Sequence, residues 1–310
     1  MASPSVEFSP EMCGIVGLFT KNPAFEDRLG DYLSSMLIEM SDRGPDSAGV
    51  AVYRNPTKKD GVKLSLFSAD DAYPWKALAK ELGKELGDKV SIEVRASHAI
   101  LVVHEDFAVI QAWLRAHHPD LKVMSAGNTI EIFKEKGLPK DVVARFNLRD
   151  LKGTHALGHT RMATESAVTT AHSHPFSTGL DLCLVHNGSL SNHNRLRQVL
   201  SRQGIEFQTD NDTEVAAGYL TWRLRQGASL DEALEAAIKD LDGFYTFAVG
   251  TRDGFAVLRD PIACKHAVLA ETDDWVAMAT EYRAIAKLPG ADKATIWEPA
   301  PAQVYSWGRA

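Results

Sequence analysis

Between Gly243 and Thr280 the chain runs through four short β-type stretches with no helix among them: Gly243 to Thr251, Phe255 to Arg259, Ala267 to Glu271 and Trp275 to Thr280. They follow directly on three helical stretches, Asn192 to Gln203, Asp212 to Gln226 and Leu230 to Leu241. Segregation of this kind argues against a regular βαβ alternation. It calls for helices and sheets stacked in separate layers, an α+β architecture. The N-terminal half is compatible with that. Cys13 to Phe19 (CGIVGLF) is a short apolar run bounded by glycine, as expected of a buried strand. Phe25 to Met40 puts Leu29, Leu33, Met36, Leu37 and Met40 on one helical face, and Arg43-Gly44-Pro45-Asp46 ends that helix. Ser47 to Tyr53, Lys63 to Phe67, Ala156 to Thr160 and Asp181 to Val185 read as further strands. Residues 70–150 carry enough structure of their own for an inserted α/β subdomain. It would hold an amphipathic helix from Trp75 to Leu86, a helix from Phe107 to His117 and a β-rich stretch from Leu121 to Phe133 with a Gly-Asn turn.

The composition excludes several functional classes. A net charge of −7 speaks against a general nucleic-acid binder. No apolar run approaches the roughly 20 residues that span a bilayer, and residues 1–11 (MASPSVEFSPE) lack the basic start and apolar stretch of a secretory signal. Neither nucleic acid nor membrane is expected as a partner, and the cytoplasm is the expected location. Three cysteines, Cys13, Cys183 and Cys264, are too few for a disulfide framework and form no CxxC. Cys183 and Cys264 sit in apolar strand contexts and are expected in the core.

Cys13 is different. A free cysteine is usually a small buried hydrophobe, but this one stands directly after Met12 at the mouth of a strand. A cysteine at a chain terminus carries its own base, because a free α-amino group has a pKa of about 8 and can accept the thiol proton. Nucleophilic attack on a carboxamide also needs donors for the developing oxyanion. His186-Asn187-Gly188 supplies a side-chain NH₂ and a backbone N–H at the end of the strand Leu182 to Val185. Gly158-His159-Thr160-Arg161-Met162-Ala163-Thr164 offers an arginine fork for a carboxylate and a hydroxyl beside it. Asp210-Asn211-Asp212-Thr213-Glu214 offers carboxylates for an ammonium, although Asp212 is also a good helix N-cap.

The segments MCGIVGLF, RGPDSAGVAVY, GHTRMAT, HSHPF, HNGSLSN and DNDTE, in this order, resemble the class II glutamine amidotransferase domain, a branch of the N-terminal-nucleophile hydrolases. That family includes glucosamine-6-phosphate synthase, amidophosphoribosyltransferase, asparagine synthetase and glutamate synthase. The resemblance implies a four-layer αββα sandwich, two antiparallel sheets between helical layers. It implies Cys13 as nucleophile, Asn187 and Gly188 as oxyanion hole, Arg161 and Thr164 on the α-carboxylate of glutamine, Asp212 on its α-ammonium, and Arg43 shaping the pocket. No cofactor or metal is implied. Residues 1–12 would be a leader absent from the mature enzyme, and 13–310 the amidotransferase domain. Met162 departs from members with Trp at that place, and the 70–150 insertion departs from their short loops. Residues 281–310 are too few for an ammonia-using domain, and no Walker A loop is present. A separate synthase subunit is therefore expected to accept the ammonia. The stand-alone form most resembles the amidotransferase subunit of glutamate-synthase-type systems, including N-methylglutamate synthase.

Two other readings meet the same residues. His172-x-His174 would put two imidazoles on one strand face, as in a metal hydrolase, yet no third ligand has recognisable spacing. A catalytically inactive regulatory or scaffold subunit would keep the fold, but would have no need of the whole Cys, Asn-Gly, Arg and Asp set.

Overall fold

The computed structural model describes residues 13–58, 61–163 and 167–309. In chain order the elements are β1 (Gly14–Thr20), α1 (Pro23–Glu26), α2 (Leu29–Glu39), β2 (Ser47–Tyr53), β3 (Val62–Phe67), α3 (Trp75–Leu86), β4 (Ser91–Arg95), β5 (His98–Val103), α4 (Phe107–His117), β6 (Lys122–Gly127), β7 (Ile130–Lys136), α5 (Pro139–Arg145), β8 (His155–Arg161), β9 (Cys183–Leu190), α6 (His193–Arg202), α7 (Asp212–Arg225), α8 (Leu230–Asp240), β10 (Gly243–Thr251), β11 (Gly254–Arg259), β12 (Val268–Glu271), β13 (Trp275–Ala279), α9 (Tyr282–Ile285), β14 (Thr295–Trp297) and β15 (Val304–Gly308). Among the described residues no helix is long and apolar enough to cross a membrane.

Two antiparallel sheets face one another. The larger has the order β14-β12-β13-β1-β8-β2-β7 and the smaller β15-β11-β10-β9. The run from Gly243 to Thr280 thus supplies two strands to each sheet. Strand β1 is central in the larger sheet and buried over its whole length, which accounts for its unbroken apolar sequence. Its side chains still alternate. Val16 and Leu18 join the cluster beneath α2 and α5, with Leu33, Met36, Leu37 and Val142. Ile15 and Phe19 point between the sheets, toward Val185, Phe255 and Val257. On the far side α7 and α8 cover the smaller sheet through Val215, Leu220, Leu234 and Ala237, packed on Tyr245 and Phe247. The result is the expected α+β sandwich of four layers.

A third sheet, β4-β5-β3-β6, is covered by α3 and α4. The chain leaves the main sheet after Tyr53 and re-enters at Ile130, and these two residues are register partners in the β2–β7 pair. Arg54 N also donates to Thr129 O at 3.1 Å. The excursion is therefore residues 54–129, a hairpin whose loop has become a layer. It does not match the 70–150 segment, because β3 belongs to the third sheet while β7 and α5 belong to the main body. The Gly-Asn turn between β6 and β7 is not a hairpin turn either, since it sends the two strands to different sheets.

Asp181 holds that junction. Its carboxylate accepts from the backbone N–H groups of Asn128 (2.7 Å), Thr129 (2.8 Å) and Ile130 (3.0 Å), and from Thr129 Oγ1 (3.0 Å). A turn between two sheets has no ladder to satisfy its donors, and one buried carboxylate takes their place. We expect Asp181→Ala to lower the stability to urea unfolding by about 3 kcal/mol, the usual cost of orphaning charge-assisted bonds, with amide exchange accelerated first at residues 128–130.

Candidate active site

Cys13 precedes β1 at the edge of the inter-sheet layer. Extension of the β1–β8 register by one residue places it opposite Arg161, whose other neighbour is Ser47 on β2. Its carbonyl accepts from Asn187 Nδ2 at 3.0 Å and from Arg43 Nε at 3.3 Å. Its Sγ lies 3.8 Å from Met162 O. Burial pushes the thiol pKa up, against smaller downward effects of the Met162 carbonyl contact and the Arg161 charge. While it is joined to Met12 this thiol is mostly protonated at neutral pH and needs a base to react.

Asn187 and Gly188 lie on β9, the outer strand of the smaller sheet. One side of β9 pairs with β10 and the other is open, so the direction of each backbone group can be followed by alternation. Leu184 exchanges both of its bonds with Phe176 across the open side (3.0 and 2.8 Å). His186 O accepts there from His159 Nε2 at 2.9 Å, and Leu190 N donates there to Asp212 Oδ2 at 2.9 Å. The even positions thus face away from β10, and the Gly188 N–H points off the same edge. Gly188 has φ +146°, and a Cβ would stand 2.0 Å from Phe244 O. Only glycine fits.

Arg161 ends β8, is 4 % exposed, and donates from Nη1 to Ala167 O at 3.1 Å. Burial lowers its pKa, with Cys13 and Asp46 acting in the opposite direction. Asp46 Oδ2 accepts from Ala163 N at 2.8 Å and so fixes the backbone beyond Arg161. Thr164 lies outside the described residues, as do Met12 and the leader. Arg43 is ion-paired with Glu281, which Arg283 also holds at 2.7 Å.

The N-cap of α7 is Asn211, whose side chain accepts from Thr213 N at 2.8 Å, and not Asp212. Asp212 is the first helical residue, with Oδ1 3.4 Å from Thr213 Oγ1. That hydroxyl also meets His174 Nε2 at 2.8 Å and His186 Nδ1 at 3.0 Å. His159 and His174 stack at 3.9 Å between ring centroids. Burial lowers the pKa of all three histidines, that of His159 to about 3. They are therefore neutral, and a consistent set of protons has Thr213 accepting from His174 and His186 while donating to Asp212.

The structure corrects two further expectations. His172 and His174 do not share a strand face: they lie in a turn, His172 reaching Asp210 at 2.9 Å and His174 reaching Thr213. Among the described residues no group of three or more His, Cys, Asp or Glu is placed to hold a metal ion. Cys183 is buried in the core, but Cys264 is exposed. Contributions that sequence reasoning missed are Asp46, Thr213 and Glu281. The first two sit inside recognisable motifs and could have been singled out. Glu281 meets Arg43 across most of the chain and carries no local signal.

The described chain matches the model of a glutamine amidotransferase domain over residues 159–287. It is 55% identical over 297 residues to "Glutamine amidotransferase-like protein GlxB" of Rhizobium meliloti (strain 1021), covering 96% of this chain and 98% of that one. It is 32% identical over 304 residues to a "Putative glutamine amidotransferase" of Methanothermobacter thermautotrophicus, covering 95% of this chain and 99% of that one. The fold is similar to that of glutamine phosphoribosylpyrophosphate amidotransferase from B. subtilis, with a TM-score of 0.60 at 20% identity over 96% of this chain. This chain spans 47% of that solved chain, about half its length.

The raised thiol pKa has a measurable consequence. Alkylation of Cys13 in the chain still joined to Met12, read by site-resolved mass spectrometry, should rise roughly tenfold per pH unit between about pH 7 and about pH 8.5, without a plateau. A rate independent of pH in that range would mean that the thiol is already ionised.

Proposed function

The chain belongs to the class II glutamine amidotransferase family, and from that premise we propose that it hydrolyses the side-chain amide of glutamine through a thioester on Cys13. The observation that carries this reading is the 3.0 Å hydrogen bond from Asn187 Nδ2 to the Cys13 carbonyl, which brings a nucleophile on one sheet to a donor pair on the edge of the other. An amide NH₂ has two protons. One is used on Cys13 O, and the other is available to an oxyanion together with the Gly188 N–H.

In this mechanism Cys13 Sγ attacks the amide carbon and the thiol proton passes to the α-amino group of Cys13. The carbonyl oxygen becomes an oxyanion between Asn187 Nδ2 and Gly188 N. The C–N bond breaks as the α-ammonium returns its proton to the leaving nitrogen, which departs as ammonia. Water then hydrolyses the thioester to glutamate. Arg161, with Thr164, takes the substrate α-carboxylate, Asp212 takes the α-ammonium, and Arg43 fixes the backbone of the nucleophile. The α-amino base exists only when the Met12–Cys13 bond is absent, so residues 1–12 act as a leader that is lost and residues 13–310 form the working enzyme. The histidines are poor substitutes as base. His159, His174 and His186 each donate to another group, and burial opposes their protonation.

Ammonia then passes to a separate synthase subunit in the cytoplasm, of glutamate-synthase type. Support for a separate acceptor is that two relatives matched over nearly their whole length are no longer than this chain's own fold.

The protein beginning at Cys13 should release ammonia and glutamate from glutamine, and Cys13→Ala should abolish both. A preparation whose intact mass retains residues 1–12 should be inactive, and full activity in that form would remove the α-amine as base. Arg161→Lys keeps the charge but loses the planar fork. It should raise KM for glutamine about tenfold or more while changing kcat much less, and an unchanged KM would take Arg161 out of substrate binding.

A further inference from the structure

On the inter-sheet face, directly beneath the row that holds Cys13 and Arg161, lies a second row of register partners: Ile15, His159, Gly49 and Lys134 on β1, β8, β2 and β7. Gly49 leaves a recess in this row. A Cβ there would stand 2.2 Å from His174 O and 2.5 Å from Lys134 Cβ. The segment 171–175 occupies the recess, and Lys134 holds it. Nζ donates to the carbonyls of Ser173 at 2.7 Å, Pro175 at 3.1 Å and Ala171 at 3.3 Å, with the ring of Phe176 4.6 Å away. An ammonium has three N–H bonds, and here three carbonyls of one short segment converge on it.

This is a costly way to fill a core. Lys134 is 3 % exposed and none of its hydrogen bonds goes to a carboxylate. A buried charge without a close counter-ion is usually less stable than a packed hydrophobe of the same size. Its geometry, in contrast, is well suited to holding a loop in place. The segment seats His174, which stacks on His159 beneath the Cys13–Arg161 row and meets Thr213, the hydroxyl shared with His186 and Asp212. We propose that Lys134 is a positioning residue: its ammonium clamps the 171–175 segment, so that His174 braces the floor of the site and the edge strand bearing Asn187 and Gly188. The proposal rests on the glutamine-hydrolysis reading for its kinetic consequences, though not for its structural ones.

The surroundings give it a pH signature. Burial lowers the Lys134 pKa from 10.5 to about 7, and Glu214 on α7 opposes the shift. His98 on β5, lowered to about 3, and His174 are neutral above pH 6 and do not titrate with it. Between about 7 and 10.5 the unfolded chain holds the proton that the folded chain has lost, so the Lys134 contribution to stability increases with pH in that window. The clamp behaves oppositely, because a neutral amine loses one donor and the charge. A merely structural lysine would move stability and activity together.

The test compares the mature wild type with Lys134→Met and Gly49→Ala, from about pH 6 to about pH 9. The ratio of kcat/KM for wild type over Lys134→Met should be about tenfold at the acid end and fall at least about threefold toward the alkaline end, carried by kcat. Over the same range wild-type stability relative to Lys134→Met should rise. Gly49→Ala crowds the segment and the stem of Lys134 but removes no charge, and should lower kcat/KM by a factor that changes with pH less than that of Lys134→Met. Amide protection at residues 172–176 should fall in Lys134→Met while β1 keeps its own. Should Lys134→Met fail to fold, the wild type alone decides, through loss of protection at 172–176 above about pH 7. A kcat/KM ratio that is flat with pH, or unchanged protection at 172–176, overturns the proposal. Absence of glutamine hydrolysis by the wild type would instead overturn the functional reading, with the exchange result still deciding the role of Lys134.

Discussion

The open edge of β9 is the constraint around which the active end of the molecule is organised. An unpaired edge presents a row of N–H and C=O groups that must find partners. Here each outward residue finds a different one. Leu184 takes Phe176 of the loop before it, His186 O takes His159 from the opposite sheet, and Leu190 N takes the Asp212 carboxylate at the start of α7. The Gly188 N–H lies in the middle of this series, off the same edge. Asn187, one residue earlier, turns its side chain onto the Cys13 carbonyl. A second strand paired along β9 would complete the smaller sheet and close the site.

Burial disfavours the charged form of five ionisable groups around that edge, and its consequences differ with the group. It raises the Cys13 thiol, lowers Arg161, and lowers the three histidines far enough to keep them neutral. The neutral imidazoles brace the site through stacking and a shared hydroxyl without adding positive charge behind Arg161. They would compete with Arg161 for an anionic ligand if they were charged, at distances where a low dielectric strengthens every pair. The same burial that removes them as bases leaves the thiol dependent on a base of its own.

The layers and the motifs were legible in the sequence because both are local properties. The apolar run of β1, the helical stripe of α2 and the segregated strands after Gly243 report periodicity and burial within a few residues, and the structure follows them. Cys13, Arg161, Asn187, Gly188 and Asp212 are brought to one end of the sandwich from four different elements or their margins. What was illegible depends on distant partners. Asn211, not Asp212, caps α7, and either residue type serves as well. Cys264 has an apolar neighbourhood in sequence but an exposed place in the fold. Lys134 shares a strand face with Ile130 and Ile132, yet a lysine near the charged end of IEIFKEK reads as solvent-facing by residue type. Its burial follows from Gly49 on a neighbouring strand and from a loop some forty residues on, neither of which leaves a mark at position 134.

The limits of the inserted layer show why so large an addition leaves the active end intact. Tyr53 and Ile130 are opposed in the β2–β7 ladder, so residues 54–129 depart and return at a single point of the main sheet. Loop closure costs little more for a long excursion than for a short one once its ends are pinned, and here the ladder pins them. The added cost falls on the re-entry turn, whose backbone donors belong to neither sheet. Asp181 meets it from the loop that leads into β9. The insertion is therefore tied to the strand that carries Asn187 and Gly188 by one carboxylate two residues before that strand begins. The connection through β2 is less direct, since β8 stands between β2 and β1.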